Sequence, residues 1–483
     1  MGKREEVRAA WDEMVPFFNK MAHSLGTKGY SLAIVDSDGP VASVSEGTVK
    51  RGTDTSPDSE TIFMIGSCSK TITALAVMLL ADRGKIDLDN PISHYLPINL
   101  APFGKDVKVR HLLNHTSGLP NLGMSEVLIR KNLCGVVPDQ YHGKDPFYPP
   151  SNFFGYVTEA ENEIVDIPGE RFTYSNSGYS LLAEIVAARS GSSFEDFVQA
   201  EIFSPLGMTR SGYRPAWFKK QQNTAFGHDK NEGPVPFYFE PIIAGCGGVL
   251  SCVEDMGRYL CMMLGKGSFA GQAILSSASV AEMETPGPPH SMGRSAIGEG
   301  FGPEWYGLGW MVYNDFLGSE AFAHGGSTGI TSAGLFYSRD VGIGIAGACN
   351  HGRGEGIFGL FSFMLAAQIM GASPFKVFPF FAREEALGKL VGLYTGYAGI
   401  VQVNISYKDG LLWYEAADEN LNSPTGRIPL IPAGDGSATE FRMYNGPGAW
   451  TTVEFFRNSQ GEQVIRRERN LLVRRGRGEQ KGW

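Results

Sequence analysis

The chain has 483 residues, more than one compact core of usual size holds, and 42% of them are hydrophobic, enough for a large interior. With a formal net charge of −9 and only 19% charged residues, no basic face for nucleic acid is expected. The longest apolar stretch, residues 356–367, falls short of the ~20 residues a membrane span needs, so no membrane partner is expected.

Residues 1–7 (MGKREEV) are charged and lack an apolar core, which argues against a signal peptide and for a cytoplasmic address. Residues 5–25 read as an amphipathic helix, and residues 30–39 as a strand whose return is 41–47. Then comes Gly66-Ser67-Cys68-Ser69-Lys70, at the head of the apolar run 71–80. Positions i and i+3 share one helix face, so the Lys70 amine can reach the Ser67 hydroxyl. A serine attacks only when a base takes its proton. A lysine is such a base only when neutral, a state that burial and the positive helix end both favour. Taken singly, the same residues also suit a serine cap followed by a surface lysine.

About residues 121–165 read as irregular, a stretch of the kind that shapes a pocket. Next comes Tyr174-Ser175-Asn176, before the apolar helix 181–187. A phenol beside a lysine can pass a proton, and an amide can donate and accept at once. Residues 301–349 return to strands, with His324-Gly325-Gly326-Ser327 at the end of one and 332–337 as its hairpin return. Residues 356–370 close this part as a helix. Strands and helices segregated in this way predict an α+β fold.

A boundary is expected near residues 372–379, giving domains 1–372 and 385–483. In the second, residues 400–405 alternate at period two, Lys408-Asp409-Gly410 is a hairpin signal, and 439–444 and 451–457 repeat the texture. This predicts a small all-β barrel, either a structural lid or subunit contact, or a gate for substrate. The basic run from Arg466 to Arg477 reads as a solvated end. The six cysteines (68, 134, 246, 252, 261 and 349) show no metal spacing with histidine and are expected to be buried thiols; no metal or other cofactor is expected. Cys68 has no lysine at i+3, so it is read as packing.

The ordered set Ser67/Lys70, Tyr174/Asn176 and His324/Gly326 resembles the Ser-x-x-Lys, Tyr-x-Asn and Lys/His-x-Gly motifs of the penicillin-recognising serine hydrolases. That superfamily includes class C β-lactamases, D-alanyl-D-alanine carboxypeptidases, D-aminopeptidases, esterases and the lovastatin side-chain acyltransferase. The likeness spans about residues 5–370: 112–120 (LLNHTSGLP) resemble the family's loop after the nucleophile helix and 245–256 its glycine turn before a late helix, and the barrel is similar to those appended to some D-aminopeptidases and esterases. The resemblance implies a β-lactamase/transpeptidase-like fold, an antiparallel sheet flanked by helices plus a helical subdomain. It implies that Ser67 is acylated by a small-molecule ester or amide while Lys70 and Tyr174 move the proton. Asn176 orients Lys70 and substrate, the backbone N–H groups of Ser67 and Ser327 hold the oxyanion, and His324, Gly325 and Gly326 bind substrate. Hydrolase, acyltransferase and non-catalytic binder all remain open, and so does the oligomeric state. The departure from the usual lysine at the third motif points away from substrates bearing a carboxylate, because histidine is mostly neutral near pH 7. On this reading His324→Lys should improve recognition of such substrates.

Overall fold

The computed structural model describes all residues except 1, 25, 124, 125, 128–146, 148, 229–232, 238, 288–303, 353, 409, 417–426, 434–438, 447, 448, 469 and 477–483. Residues 128–146 of the irregular stretch, Cys134, Phe301, Asp409 and Arg477 therefore lie outside the described residues. The chain divides into two compact units, Met1–Ala372 and Ser373–Trp483.

The first unit is built on a seven-stranded antiparallel sheet. Helix α1 (Lys3–Ser24) buries Val7, Trp11, Met14, Phe18 and Ala22, one stripe at helical spacing. Strands β1 (Gly29–Asp36) and β2 (Gly39–Gly47) form a hairpin. The sheet is completed from far along the chain by β3 (Glu304–Tyr306), β4 (Met311–Phe316), β5 (Ser319–Ser327), β6 (Ser332–Ser338) and β7 (Ile343–Cys349). Its order is β2-β1-β7-β6-β5-β4-β3, with Tyr30 opposite Cys349 and Ser327 opposite Ser332.

Both faces of the sheet are covered, so β6 and β7 are buried at every position. Helix α5 (Val253–Leu264) sets Leu260 over Gly344, and α6 (Glu355–Ile369) sets Phe358 over Gly347. Three residues apart on one strand, these glycines face opposite ways. On the α6 side, the Phe18 ring of α1 packs 5.7 Å from Phe358 and 5.0 Å from Phe361.

Helix α2 (Ser69–Asp82) is buried along the whole run from Ser69 to Leu80. An apolar helix with no wet face sits inside a protein, and its hydroxyls need partners there. Ser69 Oγ donates to the Gly66 carbonyl at 2.7 Å and Thr73 Oγ1 to the Gly245 carbonyl at 2.6 Å. Helix α3 (Asn176–Ser190) and the short α4 (Ala244–Gly247) pack against α2. Part of the stretch read as irregular is instead a helix, Pro150–Glu159. Proline in its first turn presets φ, and Phe153 and Val157 bury an i, i+4 pair. The five described cysteines are buried thiols. Among the described residues, no helix is long and apolar enough to cross a membrane, and no His, Cys, Asp or Glu cluster could hold a metal ion.

The second unit is a closed barrel of eight antiparallel strands, running from Gly392–Gly396 to Asn470–Gly476. The first strand pairs the last, Thr395 opposite Val473, which leaves no sheet edge. Period-two pairs such as Val403/Ile405, Leu412/Tyr414, Phe441/Met443 and Val453/Phe455 point inward and pack together. The basic run is not a loose end. Arg466 and Arg467 lie in the strand Gln463–Arg467, and Arg474 and Arg475 in the closing strand, beside the buried Ile465 and Leu472.

Candidate active site

The chain enters α2 through a 3-10 turn, Gly66–Cys68. Gly66 has φ +53°, a left-handed conformation open to glycine at no steric cost. Ser67 is partly exposed at this turn, whereas Lys70 is fully buried. The Lys70 Nζ atom has three neighbours within hydrogen-bond reach: Ser67 Oγ at 3.1 Å, Asn176 Oδ1 at 2.6 Å and the Cys246 carbonyl of α4 at 2.8 Å. The last two are carbonyl oxygens, which only accept. A neutral amine has two N–H bonds and one lone pair. When both N–H bonds go to the carbonyls, the lone pair is left facing the Ser67 hydroxyl. Protonated, the same amine donates to all three.

Asn176 opens α3, behind the N-cap Ser175, whose hydroxyl accepts from Gly178 N at 3.3 Å. The Tyr174 ring lies beneath Lys70, with Nζ 4.8 Å from its centroid, and leans on the His115 ring at 4.2 Å. His115 holds this segment from below. Its Nδ1 accepts from Ser175 N at 3.1 Å and its carbonyl from Thr173 N at 2.7 Å. The Pro120 carbonyl accepts the hydroxyls of Ser175 at 3.3 Å and Ser177 at 2.7 Å. The loop at residues 115–120 thus clamps the Tyr-x-Asn segment.

Strand β5 carries the third motif against the head of α2. A Cβ on Gly326 would fall 2.1 Å from the Ile65 carbonyl and 3.0 Å from Ser67 N, so only glycine fits. A Cβ on Gly66 would fall 2.8 Å from Ser327 N. The backbones bearing the Ser67 and Ser327 amides are therefore in direct contact. Cys68 Sγ, next to Ser67 in the chain, donates to the His324 carbonyl at 3.3 Å.

His324 itself is 2% exposed. Its Nδ1 lies 2.7 Å from the Gly325 carbonyl and its Nε2 lies 2.9 Å from the Tyr306 hydroxyl. The carbonyl can only accept, so Nδ1 carries the proton, and in the neutral ring Nε2 accepts from Tyr306. Burial, reinforced by the charge of Lys70, pushes the imidazole down to about 3, and the Gly325 carbonyl only partly offsets this. The ring is neutral at pH 7 and turned to Tyr306.

The structure thus brings Ser67, Lys70, Tyr174 and Asn176 together and sets Gly325, Gly326 and Ser327 beside them. Residues whose parts were not read from the sequence are His115, Tyr306, the Cys246 carbonyl and Asn121, whose Oδ1 accepts from the Asn176 backbone N–H at 3.0 Å. His115 has φ +59°, which no sequence pattern announces. A backbone carbonyl has no letter of its own at all.

Fold and site together define a serine hydrolase, and the Beta-lactamase family profile matches residues 15–358: the chain belongs to this family. Residues 374–473 match the Pab87 octamerisation domain. Among solved structures, the octameric penicillin-binding protein homologue from Pyrococcus abyssi superposes with a TM-score of 0.78 at 30% identity, covering 96% of this chain and 99% of that one. Penicillin-binding protein 4 of Amycolatopsis lactamdurans is 26% identical over 332 residues, 66% of this chain and 79% of the relative. The D-alanyl-D-alanine-carboxypeptidase/endopeptidase AmpH of Escherichia coli is 25% identical over 258 residues, 53% of this chain and 62% of AmpH. PbpX of Bacillus subtilis is matched over 52% of its length, so the chain spans only about half of that relative.

Proposed function

We propose that the chain is an acyl-serine hydrolase acting on esters or on amides without a free carboxylate at the leaving end. One observation carries this reading: Lys70 Nζ is bounded by two obligate acceptors, Asn176 Oδ1 and the Cys246 carbonyl, and its third direction is Ser67 Oγ. In the acylation step, Ser67 Oγ bonds to the substrate carbonyl carbon as its proton passes to Lys70. The oxyanion forms between the Ser67 and Ser327 amides. Collapse breaks the bond to the leaving group, which takes the proton from Lys70 by way of the Tyr174 phenol. Water then attacks the acyl-serine and the relay runs again. Gly325 and Gly326 flank the substrate along β5, and His324 supports them from behind. A neutral His324 supplies no fixed cation, which disfavours penicillins and peptides with a free C-terminus. The peptidase in AmpH's name makes peptides the class to compare against.

Intact-protein mass spectrometry after exposure to activated esters, D-amino-acid amides, acyl thioesters and benzylpenicillin tests the reading. An adduct of acyl mass on Ser67 with the neutral substrates is expected, and added alcohol or amine acceptors distinguish hydrolysis from acyl transfer. Efficient penicillin turnover would overturn the substrate preference, and an unlabelled Ser67 the mechanism. For the second unit we propose a subunit contact, supported by the match to an octamerisation domain and by exposed Tyr397, Ile400, Tyr444, Trp450 and Leu471 on the barrel.

A further inference from the structure

The reach of Lys70 toward Ser67 depends on which end of the Asn176 amide faces it. Oxygen accepts an N–H and leaves the lone pair for Ser67. An NH2 group would instead offer a donor to that lone pair and compete with the Ser67 hydroxyl. The structure contains the element that decides this. The backbone N–H of Asn176 is one of the unpaired donors at the start of α3, and it points at Asn121, 3.0 Å away. A backbone N–H can only donate, so the Asn121 atom it meets is Oδ1. That same oxygen lies 2.8 Å from the far end of the Asn176 side chain, which must therefore be the NH2 group. The other end, the carbonyl oxygen, is then the one that faces Lys70 at 2.6 Å. One donor of fixed identity sets the direction of two amides in turn.

The next turn of the loop closes the arrangement. Gly123 comes so near that a Cβ there would fall 2.6 Å from Asn176 Nδ2, and its own N–H donates to Glu126 at 2.9 Å. The amide plane of Asn176 is bounded by Asn121 on one side and by the bare Gly123 backbone on another. Neither residue belongs to the three motifs.

We infer that Asn121 is a positioning residue for acylation, fixing the Asn176 amide with oxygen toward Lys70, with Gly123 leaving the space this requires. The inference rests on the Ser67/Lys70 reading above, and it acts through Asn176 rather than on substrate.

The test uses the full chain, p-nitrophenyl butyrate as probe, and thermal melting to check folding. Asn121→Leu removes the acceptor while keeping the branched heavy-atom skeleton and should lower kcat about 10- to 100-fold, the scale of a small misplacement, with KM within about twofold. Asn121→Asp keeps an oxygen that accepts both N–H groups and should restore kcat to within about fivefold of the parent. Undiminished kcat in Asn121→Leu overturns the inference. So does a folded Asn121→Asp as slow as the leucine variant, because then the acceptor is not what matters. Should Asn121→Leu fail to fold, Gly123→Ala decides: its methyl displaces the Asn176 amide, and loss of kcat at constant KM supports the inference while unchanged kcat ends it. Ser67→Ala and Lys70→Ala run alongside. If either keeps parental activity, the underlying reading has failed. If both are inactive and Asn121→Leu is not, only the positioning role has.

Discussion

At the scale of single residues, the chemistry is concentrated in a few atoms, so single substitutions separate the roles. Ser67→Ala should lower kcat by on the order of 10³-fold or more without unfolding the protein. Cys68→Ala should stay within about tenfold of the parent, and near-parental esterase activity in Ser67→Ala would remove Ser67 as nucleophile. Lys70→Ala and Tyr174→Phe should each abolish most activity and the double variant little more, as residues acting as a unit do; costs that multiply would argue against a shared relay. His324 is the position where structure changes the expectation. A lysine there would place an ammonium in the interior, within the field of Lys70, instead of at a substrate carboxylate. His324→Lys should therefore depress turnover of neutral and acidic substrates alike, and a selective gain for carboxylates would show that the side chain reaches the pocket. The same burial gives a pH effect. The imidazole binds a proton near pH 6.5 when unfolded but only near pH 3 when folded. Its contribution to stability is thus fully present above pH 6.5 and falls as the pH drops toward 3. At pH 4.5 the loss amounts to roughly 2–3 kcal/mol. A His324→Gln variant should show a shallower fall of Tm between pH 6.5 and 4.5, and parallel Tm curves for the two proteins would refute the assignment.

At the scale of elements, the decisive contact is strand β5 against the turn that begins α2. Gly326→Ala would drive a methyl into the Ile65 carbonyl and spread the Ser67 and Ser327 amides. A loss of about 10²- to 10³-fold in kcat is expected, as for a missing oxyanion donor. Activity unchanged by this substitution would mean that the two backbones need not touch. Elements such as β5 and α2 were legible because their signals are local. The apolar run after Ser67 has no wet face, and the glycines of His324-Gly325-Gly326 mark a backbone that something approaches. The helix Pro150–Glu159 is hidden in the sequence because aromatic and proline residues obscure its short i, i+4 pair. The arginines near the end mask their strands in the sequence, because their charge outweighs the buried Ile465 and Leu472 beside them. Asn121 and the Cys246 carbonyl reach Asn176 and Lys70 from distant segments, and no spacing rule connects them.

At the scale of the whole molecule, the barrel has no edge to extend, so association through it cannot proceed by adding strands. Light scattering on the full 52.4 kDa chain should give a mass several times that value, and a monomer at micromolar concentration would exclude the proposed subunit contact. The sheet of the first unit has a different consequence. Tyr30 on β1 is paired with Cys349 on β7, so the strand made first must wait for the strand made last. At usual ribosomal speeds of about 5–20 residues per second, that interval is roughly 15–65 s. For most of it, α2 and its largely apolar surface are already made and have no sheet to rest on. The nascent chain therefore passes through a long period of exposed hydrophobic surface, and a holding chaperone or slowed aggregation at low temperature should raise the yield of active enzyme more than any change to the finished structure.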